Sequence, residues 1–210
     1  MSEQVEPARA DIAPDRIADL LWSTDPALNT FMFRAMDVLH RILQCEWPAA
    51  RGLLCHRQAF FAGQAGAVSG LIIGHTAQEY PANFEAALEL QMQSLTEDEA
   101  GHLKAALHWM DRLFPVPTDG SFYILELAVA PDAQGEGLAQ KLLDAATERA
   151  LDQGCTHMCL DVAADNAAVA FYQHIGFAVE IETRVPYLAN THGIGLHYHM
   201  TRPLEPASCA

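Results

Sequence analysis

The spacing of hydrophobic residues separates a largely helical first part of the chain from a second part in which strands and helices alternate. In the first part, apolar residues recur at helical spacing over residues 14–21 and again over residues 31–47. Residues 58–74 hold two short apolar runs around the sequence Gly-Gln-Ala-Gly, which predicts a β-hairpin. Helical spacing returns over residues 81–114, where Thr96 is placed to cap the second of two predicted helices.

The second part of the chain has a regular order of elements. Its predicted elements are a strand at 122–130, a helix at 138–154, a strand at 155–162, a helix at 166–176, and strands at 177–185 and 196–204. This order indicates a mixed sheet with helices packed on its faces. We therefore predict one α/β (α+β) domain over residues 11–205, after a disordered tail at residues 1–10.

Composition narrows the classes of partner. The 210 residues carry 27 acidic and 12 basic side chains, and a net charge of −15 would repel a nucleic-acid backbone, so no nucleic-acid partner is expected. No apolar run approaches the roughly 18 residues of a membrane span, and the N-terminal sequence lacks the features of a signal peptide. The five cysteines are an odd number, which favours free thiols. We expect a soluble, cytoplasmic protein with neither a membrane partner nor a metal site.

Residues 127–139 carry the first sign of chemistry. A predicted strand runs there into a turn whose glycines, Gly135 and Gly137, open a helix. Glycine lets the backbone approach a ligand closely, and the free N–H groups of a helix start attract anions, so the turn predicts a pyrophosphate site. The Gly-Lys-Ser/Thr sequence of a P-loop is absent. A dinucleotide fingerprint would need a third glycine where Gln140 stands, which leaves a nicotinamide-dependent oxidoreductase as the less favoured alternative.

Two blocks of this region resemble one protein family. Gln134–Ala139 (Gln-Gly-Glu-Gly-Leu-Ala) is similar to the Gln/Arg-x-x-Gly-x-Gly/Ala acyl-CoA loop of the GNAT superfamily of acetyl-CoA-dependent N-acetyltransferases. Asn166, followed by Phe171-Tyr172-Gln-His-Ile-Gly-Phe177, resembles the family's Asn…Leu/Phe-Tyr-x-x-x-Gly-Phe segment. The two blocks have the family's separation and together cover about residues 121–185.

The resemblance implies a fold and a cofactor site. The sheet would be mixed and mostly antiparallel, with a parallel central strand pair splayed at the cofactor site, helices on both faces, and a helical insertion at about 76–117. Acetyl-CoA would be the co-substrate, its pantetheine arm pairing with the open strand edge while the Val129 N–H polarises the thioester carbonyl. The residues implied in acetyl-CoA binding are Leu127, Ala128, Val129, Gln134, Gly135, Glu136, Gly137, Leu138, Ala139 and Asn166.

Two features depart from the family pattern. The spacing from Asn166 to Tyr172 is one residue shorter than the family's, so Asp165 is an alternative to Asn166. Cations are scarce near the cofactor loop, where Lys141 and Arg149 alone are at hand for a 3′-phosphate.

The resemblance also implies catalytic residues. Tyr172 would protonate the departing CoA thiolate. For the base, Glu126 is favoured, because strict alternation would place this carboxylate on one face of an apolar strand with Phe122, Ile124 and Ala128. Asp161, at the end of the partner strand, and a water relay are the alternatives.

The sequence therefore predicts an N-acetyltransferase in which a primary amine attacks acetyl-CoA directly in a ternary complex. The acceptor is a small-molecule amine or a peptide amine, and a homodimer is a further expectation. The alternative from another class is a non-catalytic acyl-CoA-binding regulatory module.

Overall fold

The structure, a computed structural model, describes residues 4–64 and 67–205. The strands are β1 (Val5–Pro7), β2 (Ala59–Gln64), β3 (Ala67–Thr76), β4 (Ser121–Val129), β5 (His157–Ala163), β6 (Ala178–Thr183) and β7 (His197–Pro203). The helices are α1 (Pro14–Thr24), α2 (Pro26–Phe33), α3 (Met36–Glu46), α4 (Tyr80–Ser94), α5 (Glu97–Leu113), α6 (Leu138–Asp152), α7 (Ala168–His174) and α8 (Pro186–His192). Short 3₁₀ turns span His56–Gln58 and Pro131–Ala133.

Within the described residues the strands form a single sheet in the order β1-β2-β3-β4-β5-β7-β6. Neighbouring strands are antiparallel except β4 and β5, which run parallel at the centre. The predicted fold class, a mixed and mostly antiparallel sheet with one parallel central pair, is confirmed. The predicted hairpin corresponds to β2 and β3, and its turn residues 65–66 lie outside the described residues.

Helices pack on both faces of the sheet because alternate strand residues point to opposite sides. On one face, Leu71 of β3 joins a buried cluster with Ile17 of α1 and Trp47 after α3. On the other face, Ile72 joins a cluster with Leu142 of α6. None of the helices in residues 4–64 and 67–205 combines the length and the apolar character needed to cross a bilayer.

The single helix predicted over residues 31–47 is wrong, because the chain breaks between α2 and α3. Arg34 adopts a left-handed conformation with φ of 64°, and its N–H donates to the Thr30 carbonyl oxygen at 2.9 Å. The Arg34 guanidinium pairs with Asp98 on α5, 2.5 Å away. Residues 34 and 35, where the helix breaks, are neither glycine nor proline, so the local sequence does not predict the break. The Arg34–Asp98 contact joins residues far apart in sequence.

The prediction of a disordered tail at residues 1–10 is wrong for the part that the structure describes, and residues 1–3 lie outside the described residues. β1 pairs with the edge of β2, with Val5 opposite Ala62. The Ala8 N–H extends the pairing by donating to the Ala59 carbonyl oxygen at 2.9 Å. Three residues are too few to show a strand period, so the sequence carries no signal for β1. The short helix α8 was likewise not predicted.

A β-bulge in β4 opens the centre of the sheet. Ile73 of β3 lies opposite Glu126 and Gly74 lies opposite Ile124, so Leu125 is the extra residue on β4. A bulge bends its strand and increases the local twist. Here it falls at the residue where β4 stops pairing with β5.

The bulge also reverses the faces of the residues that follow it, since one extra residue shifts a period of two. Phe122 and Ile124 pack with α6, whereas Ala128 packs on the opposite face with α1 and α3. Glu126 turns to that opposite face too, where the Thr24 hydroxyl at the end of α1 contacts it. The expectation that Glu126 shares a face with Phe122 and Ile124 is therefore wrong, whereas the shared face with Ala128 agrees with the structure.

Candidate active site

The parallel pair at the centre of the sheet separates into a cleft. β4 and β5 pair only through Ser121–Ile124 and His157–Leu160. Beyond these residues a cavity of about 690 Å³ opens, lined by Leu125–Val129 of β4, Asp161–Ala163 of β5 and the side chain of Tyr172. Splayed strands leave backbone groups without ladder partners, which a ligand can then bind.

Along the open part of β4, alternate residues direct their backbone N–H and C=O groups toward the cleft. The Ala130 N–H donates to the Ser69 carbonyl oxygen of β3 at 2.8 Å, so with the observed register the backbone groups of Ala128 also face β3. The backbone groups of Leu127 and Val129 therefore face the cleft, as a strand-pairing pantetheine arm requires. Ala128 differs from the other two, because its backbone belongs to the β3 ladder.

The glycine loop leaves room for an anion. Gly135 and Gly137 have φ of 81° and 75°, and a Cβ on either would meet no atom within 4 Å. Gly137 is the N-cap of α6 and carries no side-chain cap, so the first N–H groups of the helix, from Leu138 and Ala139, are open to a ligand. The backbone of this loop fits a pyrophosphate group.

The remaining loop residues have distinct surroundings. The side chain of Gln134 donates to the Val129 carbonyl oxygen at 3.2 Å, which fixes the loop to the end of β4. Leu138 is buried against the sheet and anchors the start of α6, whereas Glu136 is exposed.

Arg149 is not available to a 3′-phosphate, contrary to the sequence expectation. It lies 11 residues after the start of α6, or about 16 Å along the helix. Its guanidinium donates to the Arg57 carbonyl oxygen at 3.0 Å and to Gln58 Oε1 at 2.5 Å.

Within residues 4–64 and 67–205, Glu126 is a carboxylate without a cationic partner. The Thr24 hydroxyl lies 3.2 Å from Glu126 Oε2 and also donates to the Leu21 carbonyl oxygen at 2.8 Å. Protein atoms surround the carboxyl group although the cavity gives it some access to solvent, and this burial raises its pKa to about 8. The Thr24 hydrogen bond opposes this shift and the nearby Asp25 charge adds to it. A carboxylate poised near neutral pH has the properties of a general base.

Tyr172 lines the same cavity from α7. Its side chain is buried, with its ring edge-to-face on Phe177 at 5.8 Å. Burial, together with the charge of Glu126, raises the pKa of Tyr172 above its ordinary value, so the hydroxyl stays protonated. Among the residues that the structure describes, none is hydrogen-bonded to this hydroxyl. The proton is thus available to a bound ligand.

Asn166 connects the start of α7 to the end of α1. Its Oδ1 accepts from the Ala168 N–H at 2.9 Å, and its Nδ2 lies 3.4 Å from the Thr24 carbonyl oxygen. Asn166 lines the cavity, whereas Asp165 is exposed. Thr24 thus contacts both Glu126 and Asn166. Sequence reasoning did not identify Thr24, whose only local signal is its position just before the helix start at Asp25-Pro26.

Asp161, the alternative base, has both oxygens occupied. His199 Nδ1 lies 2.9 Å from Oδ1, and the Tyr123 hydroxyl donates to Oδ2 at 2.9 Å. Burial alone would lower the pKa of His199, but its bonds to Asp161 and to Cys159 raise it to about 10. The result is a buried pair of Asp161 and His199, in which both carboxylate oxygens already have partners.

A second acid–imidazole pair, which sequence reasoning missed, lies beside Glu126. Asp25 Oδ2 is 3.6 Å from His197 Nε2, and Asp25 Oδ1 accepts from the Leu28 N–H at 2.9 Å. Burial raises the pKa of Asp25, but His197 and the Leu28 N–H outweigh it and hold the pKa below its ordinary value. His197 is buried, and its Nε2 has no hydrogen-bond partner among the described residues.

Comparisons with known proteins agree with this architecture. The acetyltransferase (GNAT) family model matches residues 17–177. A curated mycothiol acetyltransferase of Paenarthrobacter aurescens (strain TC1) is 43% identical over 84 residues. The match takes in 38% of this chain and 25% of that protein, so the chain spans about a quarter of the length of this relative.

Solved structures show the same fold at low identity. An acetyltransferase superposes with a TM-score of 0.69 and 20% identity over 96% of this chain and 100% of that chain. An N-acetyltransferase from Staphylococcus aureus Mu50 gives a TM-score of 0.68 and 17% identity, over 94% of this chain and 99% of that chain.

Proposed function

Because the chain belongs to the acetyltransferase (GNAT) family, we propose that it transfers an acetyl group from acetyl-CoA to a primary amine in a ternary complex. One observation carries the proposal: the cleft between β4 and β5 holds an open strand edge, Glu126 and Tyr172 together, and Gln134, which starts the glycine loop, lines the same cavity. Each of these features answers one requirement of acyl transfer.

The cofactor side uses mainly backbone. Leu127 and Val129 would pair with the pantetheine arm, and the N–H groups that follow Gly137 would bind the pyrophosphate. Gln134 and Asn166 position the loop and the start of α7. Acetyl-CoA, when bound, supplies the acetyl group as a thioester.

Glu126 is the proposed base. Its carboxylate accepts a proton from the acceptor ammonium, which frees the nitrogen lone pair to attack the thioester carbonyl carbon. The N–C bond forms and the C–S bond breaks, and the nitrogen loses its second proton to solvent as the amide forms. Since one proton is taken up at sulfur, the net release is one proton per turnover. The N–H of Val129 stabilises the negative charge on the carbonyl oxygen.

Tyr172 is the proposed acid. Its raised pKa makes it a weak acid in the free protein. The leaving thiolate is desolvated in the same cleft, which raises the pKa of the thiol as well. Proton transfer therefore depends on the difference between the pKa of Tyr172 and the pKa of the thiol. The hydroxyl gives its proton to sulfur and regains one from solvent.

The first experiment is a thermal melt with acetyl-CoA, CoA or NADH, followed by a thiol-release assay with a panel of amines. A ligand at 100 times its Kd adds about 2.7 kcal/mol, or roughly 5–10 °C for a protein of this size. We expect shifts with acetyl-CoA and CoA and none with NADH. A shift with NADH alone would favour the oxidoreductase, and CoA binding without thiol release would favour the regulatory module.

A matched pair of variants locates the cofactor loop. Gly135→Asp adds a negative charge where the pyrophosphate is proposed to bind, and its Cβ would have open space. Gly193→Asp is the control, since Gly193 also has a positive φ, of 73°, and open space but follows α8. We expect only Gly135→Asp to abolish the acetyl-CoA shift. A homodimer stays a prediction, which light scattering tests.

A further inference from the structure

The cavity extends beyond the reacting groups into an apolar chamber, which bears on the identity of the acceptor. From Glu126 it continues between α2 and the α4–α5 insertion. Side chains that line this part are Leu28 and Met32 of α2, Phe84 and Leu88 of α4, and Leu107 and Met110 of α5. These walls offer a ligand mainly dispersion contacts and desolvation, and the amide and carboxylate side chains that the same three helices add to the lining are Asn29, Gln91 and Asp111.

The charges that line the cavity have one sign. Its carboxylates are Asp25, Asp111, Glu126 and Asp161, and in residues 4–64 and 67–205 no Lys or Arg lines it. Asp161 is offset by His199. An acceptor that carries a carboxylate or a phosphate would therefore enter without a counter-ion, and its charge would be repelled.

The Asp25–His197 pair lines the same cavity and holds a buried nitrogen without a hydrogen bond among the described residues. His197 Nε2 is buried, has no hydrogen bond among the described residues, and lies 3.6 Å from Asp25 Oδ2. Asp25 directly follows Thr24, which contacts Glu126. An ammonium group here would lie among two carboxylates and an imidazole, with its substituent directed into the chamber.

Resting on the proposed function, we propose that the acceptor is a primary amine on a hydrocarbon body, with the nitrogen at Glu126 and Asp25 and the body between α2, α4 and α5. An amino sugar would bury several hydroxyl groups against Leu and Met side chains, and a polyamine would bury further ammonium groups for which Asp111 is the one carboxylate that α2, α4 and α5 add to the described lining. A peptide would bring unpaired backbone amides into the same surroundings.

The homologous series from n-propylamine to n-octylamine tests this proposal, because its members have nearly the same basicity and differ only in apolar length. Burial of one methylene contributes about 0.8 kcal/mol, so kcat/KM should rise about fourfold per methylene until the chamber is filled. Glucosamine should be a much poorer acceptor than octylamine. 1,4-Diaminobutane, whose second ammonium would have Asp111 as a partner but whose hydrocarbon body is shorter, should also fall below octylamine. A flat series, or a preference for the polar amines, would overturn the proposal and leave acetyl transfer intact.

A matched pair of variants locates the chamber. Leu88→Gln places an amide in the wall, whereas Leu90→Gln changes a residue of the same helix that does not line the cavity. We expect Leu88→Gln to lower kcat/KM for octylamine tenfold or more with little effect on propylamine, and Leu90→Gln to resemble the wild type. Equal effects of both variants would contradict the placement.

Binding without turnover keeps the two proposals separable. In the presence of CoA, octylamine should raise Tm more than propylamine at equal concentration, and Leu88→Gln should remove the difference. If no amine releases thiol, acetyl transfer fails, and this binding comparison still decides whether the chamber takes a hydrocarbon body. Equal shifts with both amines would overturn the inference.

Discussion

Two carboxylates line the cleft from neighbouring strands, and their surroundings are opposite. On β5, Asp161 has one oxygen bonded to His199 and the other to Tyr123. On β4, Glu126 has one hydroxyl near it, which is shared with the backbone, and a pKa raised to about 8. Both are acidic groups in a low-dielectric site, yet only one has a counter-ion.

The difference in partners indicates that one carboxylate has a structural role and the other is suited to catalysis. A carboxylate whose two oxygens both accept hydrogen bonds links the strands that supply the donors, and those oxygens are not open to a substrate. An unpaired carboxylate destabilises the folded state when it is ionised, and that penalty makes it a stronger base. Burial alone does not distinguish the two; the partners do.

The largest expected effect on kcat/KM comes from neutralising Glu126, the carboxylate without a counter-ion. Glu126→Gln keeps the shape of the side chain and removes the base, so kcat/KM should fall by about 10²–10⁴-fold. Acetyl-CoA affinity should be nearly unchanged, since the backbone edge and the glycine loop remain. Steady-state thiol release and a CoA titration measure both quantities.

Asp161→Asn is the control for that comparison. It should lose less than about tenfold in kcat/KM, because both oxygens of Asp161 already have partners. If the Asn variant lost more activity than the Gln variant, with both proteins folded by circular dichroism, the roles of the two carboxylates would be reversed.

The Asp161–His199 pair should contribute to the thermal stability of the protein. His199→Gln keeps an N–H donor near Asp161 but removes the positive charge, at a cost of about 2 kcal/mol, or roughly 4–8 °C in Tm. The folded-state pKa of His199 is raised to about 10 from an ordinary value near 6.5. Its stabilisation is therefore complete below pH 6.5 and is lost as the pH rises toward 10. Melts of both proteins across this range should converge; a constant gap would mean that charge is not what the pair contributes.

The unpaired member should show the reverse dependence on pH. The folded-state pKa of Glu126 lies near 8, above its ordinary value of 4.5, so the folded protein binds a proton there that the unfolded chain releases. Stability should decrease as the pH rises from 4.5 to 8, and Glu126→Gln escapes this loss. We expect the variant to melt about 2–4 °C above the wild type at pH 8.5, and close to it at pH 4.5. A wild type that is the more stable protein at pH 8.5 would show that Glu126 has a partner there.

Much of this comparison could be predicted from sequence, but not its decisive contacts. Local patterns suffice for the strand that carries Glu126 and for the turn with Gly135 and Gly137, because periodicity and glycine act over a few residues. The bulge at Leu125 is set by register against β3, so strict alternation put Glu126 on the wrong face. Asp161 and His199 lie 38 residues apart on two different strands, so no local sequence pattern predicts that they pair.

The smallest expected effect tests how finely the pKa of Glu126 is set. The Thr24 hydrogen bond lowers that pKa against the effect of burial. Thr24→Val removes the hydroxyl at nearly constant volume, so the pKa should rise further and the acidic limb of the pH–kcat/KM profile should move to higher pH. A weak hydrogen bond of about 0.7 kcal/mol predicts roughly threefold lower activity at pH 7 and equal activity above pH 9.5.

A weakly basic acceptor such as trifluoroethylamine should be used for this profile, so that the ionisation of the amine lies below the range scanned. Thr24→Ser is the control, because it keeps the hydroxyl and should keep the profile. A uniform loss of activity at every pH would mean that Thr24 acts through the packing of the α1–α2 corner or through Asn166. A displaced limb with an unchanged plateau would show that one hydroxyl sets the proton affinity of the carboxylate left without a counter-ion.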